Sequence, residues 1–258
     1  MIPIALTATL VYALLTGAVA LRLLALASRT RELPELLLGV AYLLGGVLGF
    51  ATLVVGTAFQ DSAPLLSRVL GGVGLFFFST GHLSVALMCW RVFAPDNRRL
   101  AALFWLLAAV LAADFARNIG LEGSPFPPSA SPWYYPGMLG RTATTVWWVI
   151  AALSYHGRLR RRLALGLADA PAANRVFLWG LAGVATLAGS LVITVGTVTG
   201  PFDLPHHDSD ARDVLVMVAV TLISLGAVAS WLAFLPPRRY VAWIEARANA
   251  AAAETAGR

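Results

Sequence analysis

Residues 2–34 read IPIALTATLVYALLTGAVALRLLALASRTRELP, and the contrast inside this stretch decides the fold. From Ile2 to Ala27 the side chains are apolar or small, with Arg22 as the one charge. A helix needs about 20 such residues to cross the roughly 30 Å hydrocarbon core of a bilayer. The run exceeds the roughly 7 to 15 residues of a secretory leader's apolar part and follows no basic segment, so it is expected to remain as a helix. It ends at Ser28-Arg29-Thr30-Arg31-Glu32, with Pro34 just beyond.

The same contrast recurs along the chain. Further apolar blocks run from about Glu35 to Phe59, Leu66 to Phe93, Leu100 to Ile119, Met138 to Tyr155, Val176 to Gly200 and Asp213 to Leu235. Polar breaks divide them, and the longest, Gly120 to Gly137, holds five prolines and cannot be helical throughout. Asp96 or Asn97 is placed to cap the fourth helix. Overall, 59% of the 258 residues are hydrophobic and 12% charged, against about 25% charged in a soluble domain. The expected fold is therefore an all-α membrane protein, a seven-transmembrane-helix bundle over residues 1–237. Residues 238–258 are expected to form a short amphipathic helix, with Tyr240, Val241, Trp243 and Ile244 on one face, and then a frayed tail.

Orientation follows from arginine. The breaks after the first, third and fifth blocks and the C-terminal tail hold Arg29, Arg31, Arg98, Arg99, Arg158, Arg160, Arg161, Arg162, Arg238, Arg239 and Arg247. Loops on the opposite side carry mostly acids, Asp61, Glu122, Asp203, Asp208 and Asp210. The positive-inside rule puts the arginine side in the cytoplasm, with the N-terminus outside and the C-terminus inside. Topology then accounts for the net charge of +6, and no nucleic-acid partner is expected. High Ala, Leu, Gly and Arg with no Lys points to a GC-rich, bacterial genome and a plasma (inner) membrane.

The missing lysine also excludes a covalently held retinal or pyridoxal, since neither Schiff base can form. Cys89 is the only cysteine, which rules out an intrachain disulfide and reads as a small buried side chain. No cofactor is predicted. A zincin His-Glu-x-x-His, a Gly-x-Ser-x-Gly elbow and a phosphate-binding Gly-x-x-x-x-Gly-Lys are all absent.

Ionisable groups at membrane depth mark function or pairing. Asp114, Arg117 and Asn118 share one face of the fourth helix, and Arg141 shares a face of the fifth with Thr144, Thr145 and Trp148. Arg68 opens the third helix and Asp213 the seventh. These residues outline an outward-facing polar pocket in which Arg68, Arg117 and Arg141 hold a small anionic ligand. The competing reading has the arginines reaching to headgroups and pairing with acids such as Asp114. Near the midplane the third helix carries Ser79 and His82, the latter either a relay or haem ligand or a buried histidine bonded to a hydroxyl.

Thr186, Ser190, Thr194 and Thr197 form a hydroxyl stripe on the sixth helix, and Thr9, Tyr12 and Thr16 a similar one on the first. Both are expected to face the interior, as interhelical bonds or as a cavity lining. Gly45, Gly46 and Gly49 read as close packing, or as the face of a homo-oligomer. His206, His207 and Asp208 are weak metal-ligand candidates in an acidic loop. Trp133-Tyr134-Tyr135 reads as an interfacial anchor or a lid.

In layout the chain resembles the G-protein-coupled receptors and, in its seven spans, the microbial rhodopsins. Trp90-Arg91-Val92 is similar to the receptors' acidic-Arg-aromatic motif, with Trp90 in the acid's place, and Pro237-Arg238-Arg239-Tyr240 to their Pro-x-x-Tyr. The resemblance implies a pocket among the helices opening outward, hence a receptor-like or sensory ligand-binding protein. A small-solute transporter or channel is the second reading, and a haem-binding or enzymatic membrane subunit the third. The Pro-Gln pairs of the seven-helix sugar carriers, and similarity between the first and last three spans, are absent.

Overall fold

A computed structural model of the chain describes residues 2–60, 62–120, 134–198 and 209–256. The described residues form helices and no strands: α1 (Ile2–Thr30), α2 (Leu33–Ala58), α3 (Pro64–Phe93), α4 (Arg98–Gly120), α5 (Tyr134–Ala164), α6 (Ala170–Val198), α7 (Ser209–Phe234) and α8 (Arg238–Ala256). Six of them, α1 to α4 with α6 and α7, are long and apolar enough to cross a membrane. With its 31 residues α5 has the length, but Arg141, three threonines beside it and the run Arg158 to Arg162 make it less apolar.

Local chemistry sets the helix ends. Pro34 and Pro64 sit in the first turns of α2 and α3, where a missing N–H costs nothing. Asn97 caps α4, its Oδ1 accepting from the N–H groups of Arg99 (3.0 Å) and Leu100 (3.3 Å). The Asp169 carboxylate accepts from Ala172 N–H (3.2 Å), which brings the start of α6 back to Ala170 from the expected Val176. At its far end α5 continues past Tyr155 to Ala164, because cations in a last turn complement the helix dipole. Likewise α8 runs through Ala256 where fraying is expected after Arg247, alanine being the best helix former.

Successive helices run antiparallel. Asp114 near the end of α4 meets Arg141 near the start of α5, while on α6 and α7 Ala182 faces Gly226 and Gly189 faces Ala219. α1 packs on α2 and on α7, which closes a ring, and α3 touches α2, α4 and α5. α8 folds back so that the Tyr240 hydroxyl accepts from Asn174 Nδ2 on α6 (3.1 Å).

In lipid no hydrophobic force drives helices together, so association depends on close packing of small residues. The α2–α3 pair shows this most strongly. A Cβ on Gly81 would lie 2.5 Å from Gly45 Cα, one on Gly49 would lie 2.6 Å from Phe78 N, and Gly56 abuts the Gly71 backbone. Gly46 faces the other way and packs on Thr16 of α1. Within α2 the segment Ala41–Gly49 is wound as a π-helix, a rare form that recurs at functional sites. The exterior is correspondingly greasy: Leu14, Leu21, Leu139 and Trp105 are exposed, while Thr16, Asp114, Thr144 and Ser230 are buried. Polar-in and apolar-out is the pattern lipid selects.

Candidate functional site: an uncharged cavity in the bundle

A cavity of about 170 Å³ occupies the middle of the bundle and draws its wall from every helix of the ring except α4. The π-helical part of α2 contributes Ala41, Tyr42, Gly45 and Gly46, and Gly81 of α3 lies against that same stretch. Side chains at these glycines would fill the space or force α2 from α3. α1 adds Tyr12 and Thr16, α3 His82, α5 Thr144, Thr145 and Trp148, α6 Trp179, Thr186 and Ser190, and α7 Gly226 and Ser230. Among the described residues, no acidic residue and no arginine lines it.

Much of the wall's polarity is already spent. Thr16 donates to Tyr12 O (2.7 Å), Thr186 to Ala182 O (2.9 Å) and Thr145 to Arg141 O (3.1 Å), each within its own helix. Tyr42 crosses from α2 to α7 and donates to Ser230 Oγ (2.7 Å). Besides Trp148 Nε1 on α5, which is buried without a partner, three groups on three further helices keep capacity in hand among the described residues. The Tyr12 ring meets Phe50 edge-on, but its hydroxyl has no hydrogen-bond partner among the described residues. Ser190 Oγ has none either, its carbonyl alone being used, by Thr194 (2.9 Å). His82 spends Nδ1 on Phe78 O (2.8 Å) within α3 and leaves Nε2 unbonded.

An aromatic stack closes one side. Trp148 and Trp179 pack with ring centroids 5.3 Å apart, Trp179 meets Phe93 at 6.1 Å, and Phe93 meets Tyr155 at 5.0 Å. Beyond it the Arg158 guanidinium sits 5.3 Å over the Tyr155 ring. The rings thus run in series from the cavity wall towards the end that carries Arg158 to Arg162.

The residues singled out by charge lie elsewhere. Arg141 Nη1 pairs with Asp114 Oδ2 at 2.9 Å, and Asn118 Nδ2 donates to Asp114 Oδ1 at 3.1 Å. The Asp114 side chain is 1% exposed and that of Arg141 17%, so both carboxylate oxygens are committed out of solvent. Gly137 makes the approach possible, for a Cβ there would overlap the Asp114 carboxylate. Arg68 is exposed in an apolar groove between α3 and α4, beside Phe76, Phe115 and Ile119. Arg117 is half-buried on α4 and does not line the central cavity. None of the three arginines expected to converge on one anion lines the central cavity.

Of the expected pocket, Thr145 and Trp148 do line the central cavity. Trp148 Nε1 is buried without a partner. His82 and Ser190 line it as well, whereas Ser79 is buried with its hydroxyl unpartnered and Thr194 turns towards Met138 Sδ (3.4 Å). Asp213 falls within α7, but its side chain, like His206, His207, Asp208 and Trp133, lies outside the described residues. Among the described residues no three His, Cys, Asp or Glu side chains come together. Sequence reasoning missed Tyr42, Trp179 and Ser230, which fall in apolar runs with no periodic polar signal.

Compared with protein-family models, curated proteins and solved structures, the chain matches none of them.

Proposed function

We propose that this protein is a receptor-like or sensory ligand-binding bundle of seven spans, and that the central cavity is its binding site. One observation carries the reading: four polar groups without hydrogen-bond partners among the described residues, on α1, α3, α5 and α6, border one cavity at mid-bundle. A polar group left without a partner inside a bundle is costly, and Trp148 Nε1 is buried in that state, so a wall that carries several such groups supports a site built to receive something. The seventh span is α5. About 46 Å long at 1.5 Å per residue, it packs alongside α3, α4 and α6, which holds it at their depth.

The arginine-rich end, where α1, α3 and α5 finish and α8 begins, faces the cytoplasm, with the N-terminus outside, in the inner membrane of a bacterium. Two positions of a cysteine probe test this. In a Cys89→Ser background, Ser62→Cys is expected to react with a membrane-impermeant maleimide on intact cells, and Ser28→Cys only after lysis. The reverse pattern inverts the topology.

A transporter needs a path to both faces, and the aromatic stack from Trp148 to Tyr155 counts against one. The deciding experiment is thermal unfolding of the full chain in lipid nanodiscs with a panel of uncharged one-ring and two-ring molecules, run beside Ala227→Leu, which fills the cavity. Compounds that raise the Tm of the natural protein and leave the variant unmoved support binding in the cavity. A panel that shifts both alike, or neither, removes the reading, and time-dependent uptake of a binder into proteoliposomes would favour transport.

A further inference from the structure

Resting on that reading, we infer that the cavity's ligand is an uncharged molecule about the size of one aromatic ring, carrying an O–H or N–H that it donates to His82 Nε2. Size comes first. A dry cavity of about 150 Å³ takes a single benzene ring, and this one measures about 170 Å³. Tyr12, Phe50, Phe78, Trp148 and Trp179 supply flat apolar faces for such a ring.

Charge comes second. Among the described residues no carboxylate or guanidinium lines the wall, and the acid–base pair Asp114 with Arg141 is closed on itself. An anion or cation entering would shed its hydration and meet no opposite charge, a cost of several kcal/mol that nothing in the wall offsets. The small anionic ligand suggested by the arginines alone thus gives way to a neutral one.

Hydrogen-bond polarity comes third. The partner of His82 Nδ1 is a backbone carbonyl, which can only accept, so the proton sits on Nδ1. With no carboxylate in the wall, the neutral imidazole is the form that fits, and Nε2 then presents a lone pair. The ligand must supply the proton. Tyr12 and Ser190 hydroxyls can each donate or accept, and so can receive a second polar atom of the ligand or its oxygen lone pairs. The phenol-like arrangement, a ring with one hydroxyl, uses all three.

Three fluorinated probes of one shape test the inference by ¹⁹F NMR titration of the full chain in nanodiscs: 4-fluorophenol, 4-fluorotoluene and 4-fluorobenzoate. The phenol is expected to bind about three- to tenfold more tightly than the toluene, the worth of one neutral hydrogen bond, and the benzoate more weakly than either. In His82→Phe that preference should vanish while toluene binding persists. His82→Gln, which restores an acceptor, should regain part of it. Tyr12→Phe tests the same pocket from a helix that leaves the histidine untouched.

Equal affinity for phenol and toluene in the natural protein overturns the donor assignment and leaves the cavity reading standing. Tightest binding by the benzoate overturns the assignment of a neutral ligand. If no probe binds, or Ala227→Leu binds all three as the natural protein does, the inference fails together with the cavity reading, the space then holding water.

Discussion

Two polar regions of this bundle behave in opposite ways. The Asp114–Arg141–Asn118 group between α4 and α5 is charged, and its acid has both oxygens engaged at 2.9 and 3.1 Å. Among the described residues, the central cavity carries no acidic residue and no arginine, yet keeps Tyr12, Ser190 and His82 Nε2 without partners. Inside a membrane a charge draws the eye because it is expensive, but expense is the reason it pairs off with its neighbour. What remains able to receive a ligand is the cheaper polarity of hydroxyl and imidazole. A charge census finds the joints of such a protein, and a census of unspent hydrogen bonds points to the proposed site.

The hardest blow to the comparison comes from the charged side. Asp114→Ala leaves Arg141 buried without a counter-charge and Asn118 without its acceptor, so a loss of about 3–5 kcal/mol in unfolding free energy is expected. Replacing both members, Asp114→Leu with Arg141→Met, should recover most of it, because an apolar pair of similar size removes the stranded charge. Denaturant titration of the full chain in mixed micelles reads both. Were the double variant as unstable as the single, the pair would be doing more than holding α4 to α5.

A smaller effect is expected at Gly81→Ala. The added methyl would sit 2.5 Å from Gly45 Cα and 3.1 Å from Ala41 O, both backbone atoms that cannot swing aside. Overpacking of this kind costs about 1–3 kcal/mol. Because Gly45 and Gly81 both wall the cavity, the shift that relieves the clash should also change ring binding. A fall in Tm with unaltered probe affinity would separate the seam from the site.

Two tyrosines sharpen the comparison within the cavity. Tyr42→Phe removes the hydroxyl that donates to Ser230 across α2 and α7, and about 1 kcal/mol of stability should go with it. Tyr12→Phe removes a hydroxyl that bonds to nothing among the described residues, so stability should hold while the affinity for 4-fluorophenol falls. A Tyr12 variant as unstable as the Tyr42 variant would mean that its hydroxyl is structural and already satisfied.

How much of this was legible in the sequence differs by kind of feature. The helices were plain in the alternation of apolar blocks with Arg- and Pro-rich breaks, since bilayer thickness and backbone hydrogen bonding leave a spanning segment one form. The Asn97 cap and the inward-facing stripes of α1 and α6 were legible by the same local logic. What Arg68, Arg117 and Arg141 would meet was not. Helical spacing tells which residues share a face but not how far that face is turned about its axis, and a modest rotation separates a pocket from a groove. Arg68 went to the groove between α3 and α4, and Arg141 went to Asp114 because Gly137, a residue with no signature of its own, opened the way. The π-helical segment Ala41–Gly49, which holds Tyr42, is a rare form for which no signal was read in the sequence.

The smallest effect is the most telling about the hydroxyl stripes. Thr186 donates to Ala182 O at 2.9 Å, a carbonyl four residues back in its own helix. That carbonyl keeps its helical partner if the side chain is removed, so Thr186→Val should move the stability by less than about 0.5 kcal/mol. Ser84 offers the control, since its hydroxyl crosses from α3 to Leu37 O on α2 at 2.7 Å, and Ser84→Ala should cost about 1 kcal/mol. The two serve different ends: one holds helices together, while the other makes the cavity wall less greasy and therefore easier for a polar ring to enter. If Thr186→Val cost as much as Ser84→Ala, the stripe on α6 would be fastening α6 to its neighbours, and the cavity would lose one of its polar walls to the needs of the fold.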